Sequence, residues 1–113
     1  MTPASKRKGD RAEREIIEIL RSLSGWPIER VYGAGRGDDC GDIAGLPEVC
    51  AQVKDWHDPT AAERQALLDV EKQRLAAKKR FGVAFIRHRA GRWTVSMTPA
   101  TFIEMLKWAR RDA

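Results

Sequence analysis

Three polar residues, Asp42, Gln52 and Lys54, flank a turn at residues 45–47 in a segment with β-like patterning. After the turn, residues 49–54 alternate between two sets of side chains, and this period places Gln52 and Lys54 on one face of a strand. If Asp42 lies on the neighbouring strand, a carboxylate, an amide oxygen and an ammonium group converge. Such a cluster suits a divalent cation held by oxygen ligands, beside a cation that steadies a phosphate.

The same spacing has a simpler interpretation. Short polar patterns like that of Asp42, Gln52 and Lys54 arise often by chance, and an ordinary hairpin with its polar face in water would also produce one. The choice between the two interpretations therefore depends on the rest of the chain.

A further carboxylate, Glu13, occurs in the predicted first helix. Asp10 and Glu13 have the spacing of a capping box, which predicts that the helix begins near residue 10. Glu13 lies at the edge of the apolar face, where it either reaches back to cap the helix or needs a partner such as a metal ion. The apolar face comprises Ala12, Ile16, Ile19, Leu20 and Leu23.

Together these motifs resemble the archaeal-type Holliday-junction resolvases, which belong to the PD-(D/E)XK nuclease superfamily. The resemblance covers the first half of the chain by motif and the second half by the order of its elements. The matching motifs are Lys8-Gly9, Glu13-Arg14-Glu15, Arg30, the glycine-rich residues 33–37, Gly41-Asp42-Ile43-Ala44 and Gln52-Val53-Lys54.

The resemblance implies a set of roles for these residues. Glu13, Asp42, Gln52 and Lys54 are the implied catalytic residues. The implied ligands of Mg²⁺, for which Mn²⁺ can substitute, are Glu13, Asp42, Gln52 and the main-chain carbonyl of Val53. The implied activity is metal-dependent, structure-selective cleavage of DNA, above all of four-way junctions. Two matched cuts at one junction require a homodimer with twofold symmetry.

Gln52 departs from the commoner family pattern, which has glutamate. An amide oxygen still coordinates a hard cation, but the site loses one negative charge and binds Mg²⁺ more weakly. Two alternatives therefore remain open. One is a related nuclease that acts on duplex ends, nicks or flaps, and the other is a non-catalytic module that binds branched DNA.

Composition agrees with a small DNA-acting domain. The 113 residues predict one domain, residues 1–113, with a flexible basic start at about residues 1–8. The net charge of +5 favours a polyanionic partner. No apolar run is long enough for a membrane span or a signal peptide, so we expect a cytoplasmic protein.

Basic residues cluster near the predicted site and along the middle helix. Such groups gather phosphates through contacts that are independent of sequence. The predicted DNA-binding residues are Lys6, Arg7, Lys8, Arg11, Arg30, Arg36, Lys72 and Lys79.

The remaining patterns predict an α/β domain with the element order αβββαββα. This order fits a restriction-endonuclease-like fold, in which helices flank a mixed central sheet. Strands are predicted near residues 28–32 and 82–87, a glycine-rich loop at 33–39 and a long helix at 60–80. Thr98 and Pro99 are typical of the start of a final helix. Apolar residues predicted to line the two later helices are Leu67, Leu68, Val70 and Leu75, then Phe102, Met105, Leu106 and Ala109.

Five further side chains have testable roles. Cys50, at the centre of a predicted strand, is expected to be a small buried residue rather than half of a disulfide. Trp93 and Trp108 are expected in the core or an interface. Trp56 is the tryptophan expected to contact DNA, whereas His57 is not favoured as a general base because a bound metal already activates water.

Overall fold

The computed structural model describes residues 4–31 and 40–111. Within these residues the elements follow the predicted order αβββαββα, with a short 3₁₀ turn at Arg89–Gly91 between the last two strands. The predicted loop at 33–39 lies outside the described residues. The elements are α1 (Ala4–Ser24), β1 (Glu29–Arg30), β2 (Ile43–Ala44), β3 (Val49–Lys54), α2 (Pro59–Ala76), β4 (Phe81–Arg87), β5 (Trp93–Ser96) and α3 (Pro99–Arg111).

The central sheet is mixed, as predicted. Its strands lie in the order β3-β4-β5, with β4 parallel to β3 and antiparallel to β5. A small antiparallel pair, β1 with β2, joins β3 through a bridge between Gly41 and Ala51. The crossover from β3 to β4 is made by α2, as parallel pairing requires.

Alternation along the strands puts α1 and α2 on opposite faces of the sheet. Ala51 and Val53 of β3 share a core with Ile16 of α1. Cys50, which precedes Ala51 in β3, packs against Val70 of α2. Gln52 therefore faces α2, while the apolar neighbours on either side of it face α1.

Helix α2 approaches the sheet mainly through alanines, and Leu67 packs partly buried against the same cluster. Ala62 and Ala66 are fully buried against Ala84 and Ile86 of β4. The prediction that Leu68 and Leu75 point to the core is wrong, because these side chains are 60% and 66% exposed. Small side chains let the helix backbone come close to the sheet, which leaves the larger residues of α2 on the outside. Val70 is buried as predicted.

The predicted start of the first helix is also wrong. Helix α1 begins at Ala4, so the basic residues 6–8 belong to its first turns and not to a flexible start. Asp10 lies inside the helix and cannot cap it. Its carboxylate instead accepts a hydrogen bond from Arg30, 2.8 Å away. The Asp10 side chain, predicted to cap the helix locally, therefore forms a tertiary ion pair with Arg30 instead.

Cys40 and Cys50 form a disulfide, contrary to the sequence-based expectation. Cys50 is fully buried, as expected, but it is not a free thiol. The bridge between Gly41 and Ala51 explains the pairing, since it places the preceding residues, Cys40 and Cys50, side by side.

Helix α3 begins as predicted, with the Thr98 hydroxyl accepting a hydrogen bond from the Thr101 amide. Its apolar stripe is only partly covered. Met105 packs against the core, whereas Phe102 and Leu106 are each 51% exposed. Among the described residues, no helix is both long enough and apolar enough to cross a bilayer.

The two tryptophans expected in the core take different positions. Trp93 packs against the main core, and its indole N–H donates to Glu15 at 2.8 Å. Trp108 meets Phe81 edge to face and lies beneath the guanidinium group of Arg80. Trp93 thus links α1 to β5, and Trp108 links α3 to β4.

Gly41 permits the close approach on which the bridge to β3 depends. Its φ of +80° lies in the left-handed region, and a Cβ atom there would collide with the Ala51 carbonyl group. The requirement for glycine is therefore both conformational and steric.

We expect Gly41→Ala to lower the free energy of unfolding by about 2–4 kcal/mol, since it combines left-handed strain with a backbone collision. Gly25→Ala is the matched control. Gly25 has a similar φ of +74° but open space around it, so the control should lose only about 1 kcal/mol. Denaturant titration of both variants measures the difference, and equal losses would show that the collision is relieved at no cost.

Candidate active site

A cleft of about 560 Å³ opens at the carboxyl end of β3. The predicted catalytic residues Glu13, Asp42, Gln52 and Lys54 all line it, as does Val53. The structure thus brings together side chains from α1, from the segment before β2 and from β3, and Glu13 lies on the same side as Asp42.

Asp42 is fixed to β3 by its backbone and its side chain. Its amide donates to the Ala51 carbonyl at 2.7 Å. Its carboxylate oxygen Oδ2 accepts a hydrogen bond from the Val53 amide at 2.8 Å. These two contacts hold the carboxylate beside the strand that carries Gln52 and Lys54.

Glu13 enters the cleft with a cationic partner. The Arg30 guanidinium group donates to Glu13 at 3.1 Å and to Asp10 at 2.8 Å. Arg30, a predicted DNA-binding residue, has a partly buried side chain that joins two carboxylates of α1 to β1. Sequence patterns gave no sign that Asp10 belongs to this group.

Two of the four carboxylates that line the site, Glu13 and Asp42, have raised pKa values. Burial raises the pKa of Glu13, and the nearby Asp42 raises it further, against the opposing effect of Arg30. Burial also raises the pKa of Asp42, although the Val53 amide, Lys54 and Arg30 all favour its charged form. A bound cation would relieve both effects.

Gln52 is buried, and its side-chain amide has a defined orientation. Its Nε2 donates to Oε1 of Gln73 on α2 at 2.6 Å. This hydrogen bond leaves the side-chain oxygen Oε1 of Gln52 available to a ligand in the cleft. Gln73 was missed by sequence reasoning, because it lies 21 residues away and has no motif of its own.

Lys54 and Trp56 meet at the mouth of the cleft. The Lys54 ammonium lies 5.4 Å from the centroid of the Trp56 ring, within range of a cation–π interaction. Trp56 is 41% exposed, and both it and His57 line the cleft. No hydrogen bond of the described residues links His57 to Glu13, Asp42 or Lys54.

The predicted DNA-binding residues fall into separate groups. Lys6 and Lys8 line the cleft, whereas Arg7 and Arg11 are exposed on α1 outside it. Arg36 lies outside the described residues. Lys72 is exposed on α2, and Lys79 follows that helix, so neither belongs to the cleft.

The donor set fits a hard cation by type but is low in charge. Among the described residues, no three His, Cys, Asp or Glu side chains form a group that could hold a metal ion. Of the four carboxylates that line the cleft, Asp10, Glu13, Asp42 and Asp55, the predicted metal ligands are Glu13 and Asp42, with the neutral oxygens of Gln52 and Val53 beside them. Oxygen ligands of this kind are those that Mg²⁺ accepts, and Mg²⁺ usually keeps several waters.

Comparison of the chain with protein-family models, curated proteins and solved structures found no match.

The raised pKa of Asp42 predicts a stability cost at neutral pH. A carboxyl group with a raised folded pKa stabilises the fold below its ordinary pKa, and that contribution is lost as pH rises through the folded value. Asn cannot ionise, and its side-chain oxygen can still accept from the Val53 amide. We therefore expect Asp42→Asn to be more stable than the parent at pH 8, by about 1 kcal/mol, in metal-free buffer.

Denaturant titrations between pH 4 and pH 8 measure this difference, which should shrink toward pH 4. Asp69→Asn is the control, since Asp69 is only partly buried on α2 and its carboxylate accepts a hydrogen bond from Gln65. An Asp42→Asn variant that is no more stable than the parent at pH 8 would contradict the cost of burying this charge.

Proposed function

We propose that the chain is a metal-dependent, structure-selective DNA endonuclease of the Holliday-junction resolvase type, with a restriction-endonuclease-like fold. One observation carries the proposal. Glu13, Asp42, Gln52 and Lys54, which lie far apart in the chain, line one cleft at the end of β3. The mixed sheet, with α1 and α2 on opposite faces, supports the fold.

In the proposed hydrolysis of a phosphodiester bond, each residue of the site has a separate role. Asp42 and Glu13, with the Gln52 side chain and the Val53 carbonyl, would hold Mg²⁺ or Mn²⁺. The bound ion supplies polarisation of a phosphate oxygen and a lower pKa for a coordinated water. Lys54 orients the attacking water or neutralises charge on the phosphate, as suits a compact ammonium on a flexible stem.

The electrostatics of the cleft support a phosphate ligand. Lys6 and Lys8 project from the first turns of α1 into the cleft that holds the carboxylates. These cations draw the DNA backbone toward the site, where the carboxylates alone would repel it. Arg30 forms ion pairs with Glu13 and Asp10 and so offsets part of the negative charge of the site.

A second copy of the chain completes the proposal, because two matched cuts across a junction need two sites related by a twofold axis. The edge strand β5 and helix α3 carry side chains suited to such a contact. These exposed apolar residues are Val95, Phe102, Ile103 and Leu106.

Cleavage assays on a labelled four-way junction and on a linear duplex of matched sequence test the activity. Asp42→Asn and Lys54→Ala should each reduce cutting at least about a hundredfold, while junction binding is retained. Gln52→Glu should keep or raise the activity and lower the metal concentration required, because it restores a negative charge to an oxygen site.

The alternatives give different results in the same assay. Cutting of linear duplex by a monomer would favour a nuclease of ends, nicks or flaps. Junction binding without cutting, in either Mg²⁺ or Mn²⁺, would favour the non-catalytic module. Asp42→Asn and Lys54→Ala variants that cut like the parent would remove these residues from the site.

Gln73 gives a separate test of the metal ligands. If its oxygen holds the Gln52 amide in the orientation that metal binding needs, Gln73→Met should weaken Mn²⁺ binding about tenfold. The effect should be small in a Gln52→Glu background, because either oxygen of a carboxylate can serve the metal. Mn²⁺ titration followed by electron paramagnetic resonance measures both.

The control for this test is Gln65→Met, the same substitution on an exposed residue of the same helix. If Gln73→Met and Gln65→Met bind Mn²⁺ equally, Gln73 has no part in orienting a ligand.

A further inference from the structure

A second groove, of about 330 Å³, lies next to the candidate active site. The two share a wall formed by Lys8, Asp55, Trp56 and His57. Beyond this wall the second groove is bordered by Arg87, at the end of β4, and by Arg89 in the following turn. We call it the flanking groove. A strand whose phosphate lies in the cleft would pass directly into it.

The charge of the flanking groove suits a nucleic-acid backbone. Lys8, Arg87 and Arg89 contribute cations, and the only carboxylate among its described lining residues is Asp55. Asp55 lies 3.8 Å from the Lys8 ammonium, and Glu15 outside the groove holds Arg87 at 3.1 Å. Arg89 has no ion-pair partner among the described residues and is exposed.

Trp56 adds an exposed aromatic ring to the groove. Binding of phosphates would not require such a ring. Its indole is 41% exposed at the boundary between the groove and the cleft, and Lys54 lies 5.4 Å from the ring centroid. An exposed aromatic ring beside cations is the arrangement on which unpaired bases stack. A base inside a duplex cannot stack on it, because its two faces are covered by neighbouring bases.

We propose that the flanking groove binds a single-stranded nucleotide next to the phosphate in the cleft, with its base stacked on Trp56. This inference rests on the proposed function for its DNA partner, and it names the substrate feature that the site selects. DNA whose nucleotides beside the cleavage point are unpaired, as they become where a junction opens at its branch point, is bound in preference to a continuous duplex.

Fluorescence anisotropy in chelator tests this preference without any need for cutting. The two probes are a blunt duplex and the same duplex carrying a single-stranded extension. Trp56→Leu should lower affinity for the extended probe about tenfold, as expected for the loss of one base–aromatic stack, and leave the blunt probe unchanged. Trp56→Phe, which keeps a ring, should stay within about threefold of the parent on both probes.

Trp26→Leu is the matched control. Trp26 is 47% exposed, and it follows the end of α1 opposite to Lys8, so this substitution should change neither affinity. Equal losses on both probes, or no loss on either, would overturn the proposal. Cutting activity separates the two hypotheses. If the parent never cuts DNA but Trp56→Leu selectively weakens binding of the extended probe, the flanking-groove proposal is supported and the nuclease proposal is contradicted. If the parent cuts DNA but Trp56→Leu has no selective effect, only the flanking-groove proposal is contradicted.

Discussion

The candidate site depends on the contact between residues 41–42 and strand β3. Gly41 brings the chain against Ala51 so closely that no side chain fits between them, and Asp42 is then held by hydrogen bonds at 2.7 and 2.8 Å. These bonds use the free edge of β3, since its other edge pairs with β4. A carboxylate fixed by the backbone of the strand that carries Gln52 and Lys54 cannot move relative to them without breaking the sheet edge. Such rigidity is what a site built from widely separated residues requires.

The cations of the site offset the negative charge of its carboxylates only in part. Arg30 joins Asp10 and Glu13, yet the pKa of Glu13 is raised, and so is that of Asp42. Burial therefore outweighs the attraction of the nearby cations for both acids. Carboxylates held together at a cost in stability are typical of functional sites.

The sequence predicted those features whose causes are local or periodic. Alternation in residues 49–54 placed β3, and the Thr98 cap placed the start of α3. The errors have long-range causes. Asp10 has the local pattern of a cap, but its partner Arg30 lies 20 residues away. Cys40 meets Cys50 only because of the register across the bridge at Gly41. Helical spacing alone could not show that alanines, and not Leu68 or Leu75, form the face of α2 against the sheet.

Gln52 links these observations, because a neutral side chain at this position suits both its neighbours and its burial. A glutamate would add a fifth acid to a cleft in which two of the four acids already have raised pKa values, and it would do so at a side chain that is only 7% exposed. The amide avoids this repulsion and supplies a donor for Gln73, which ties β3 to α2. Without a cation the apo protein is therefore more stable with glutamine, whereas cation binding would favour glutamate. In the proposed nuclease, the residue at position 52 would therefore set the balance between the stability of the metal-free protein and its affinity for a metal ion.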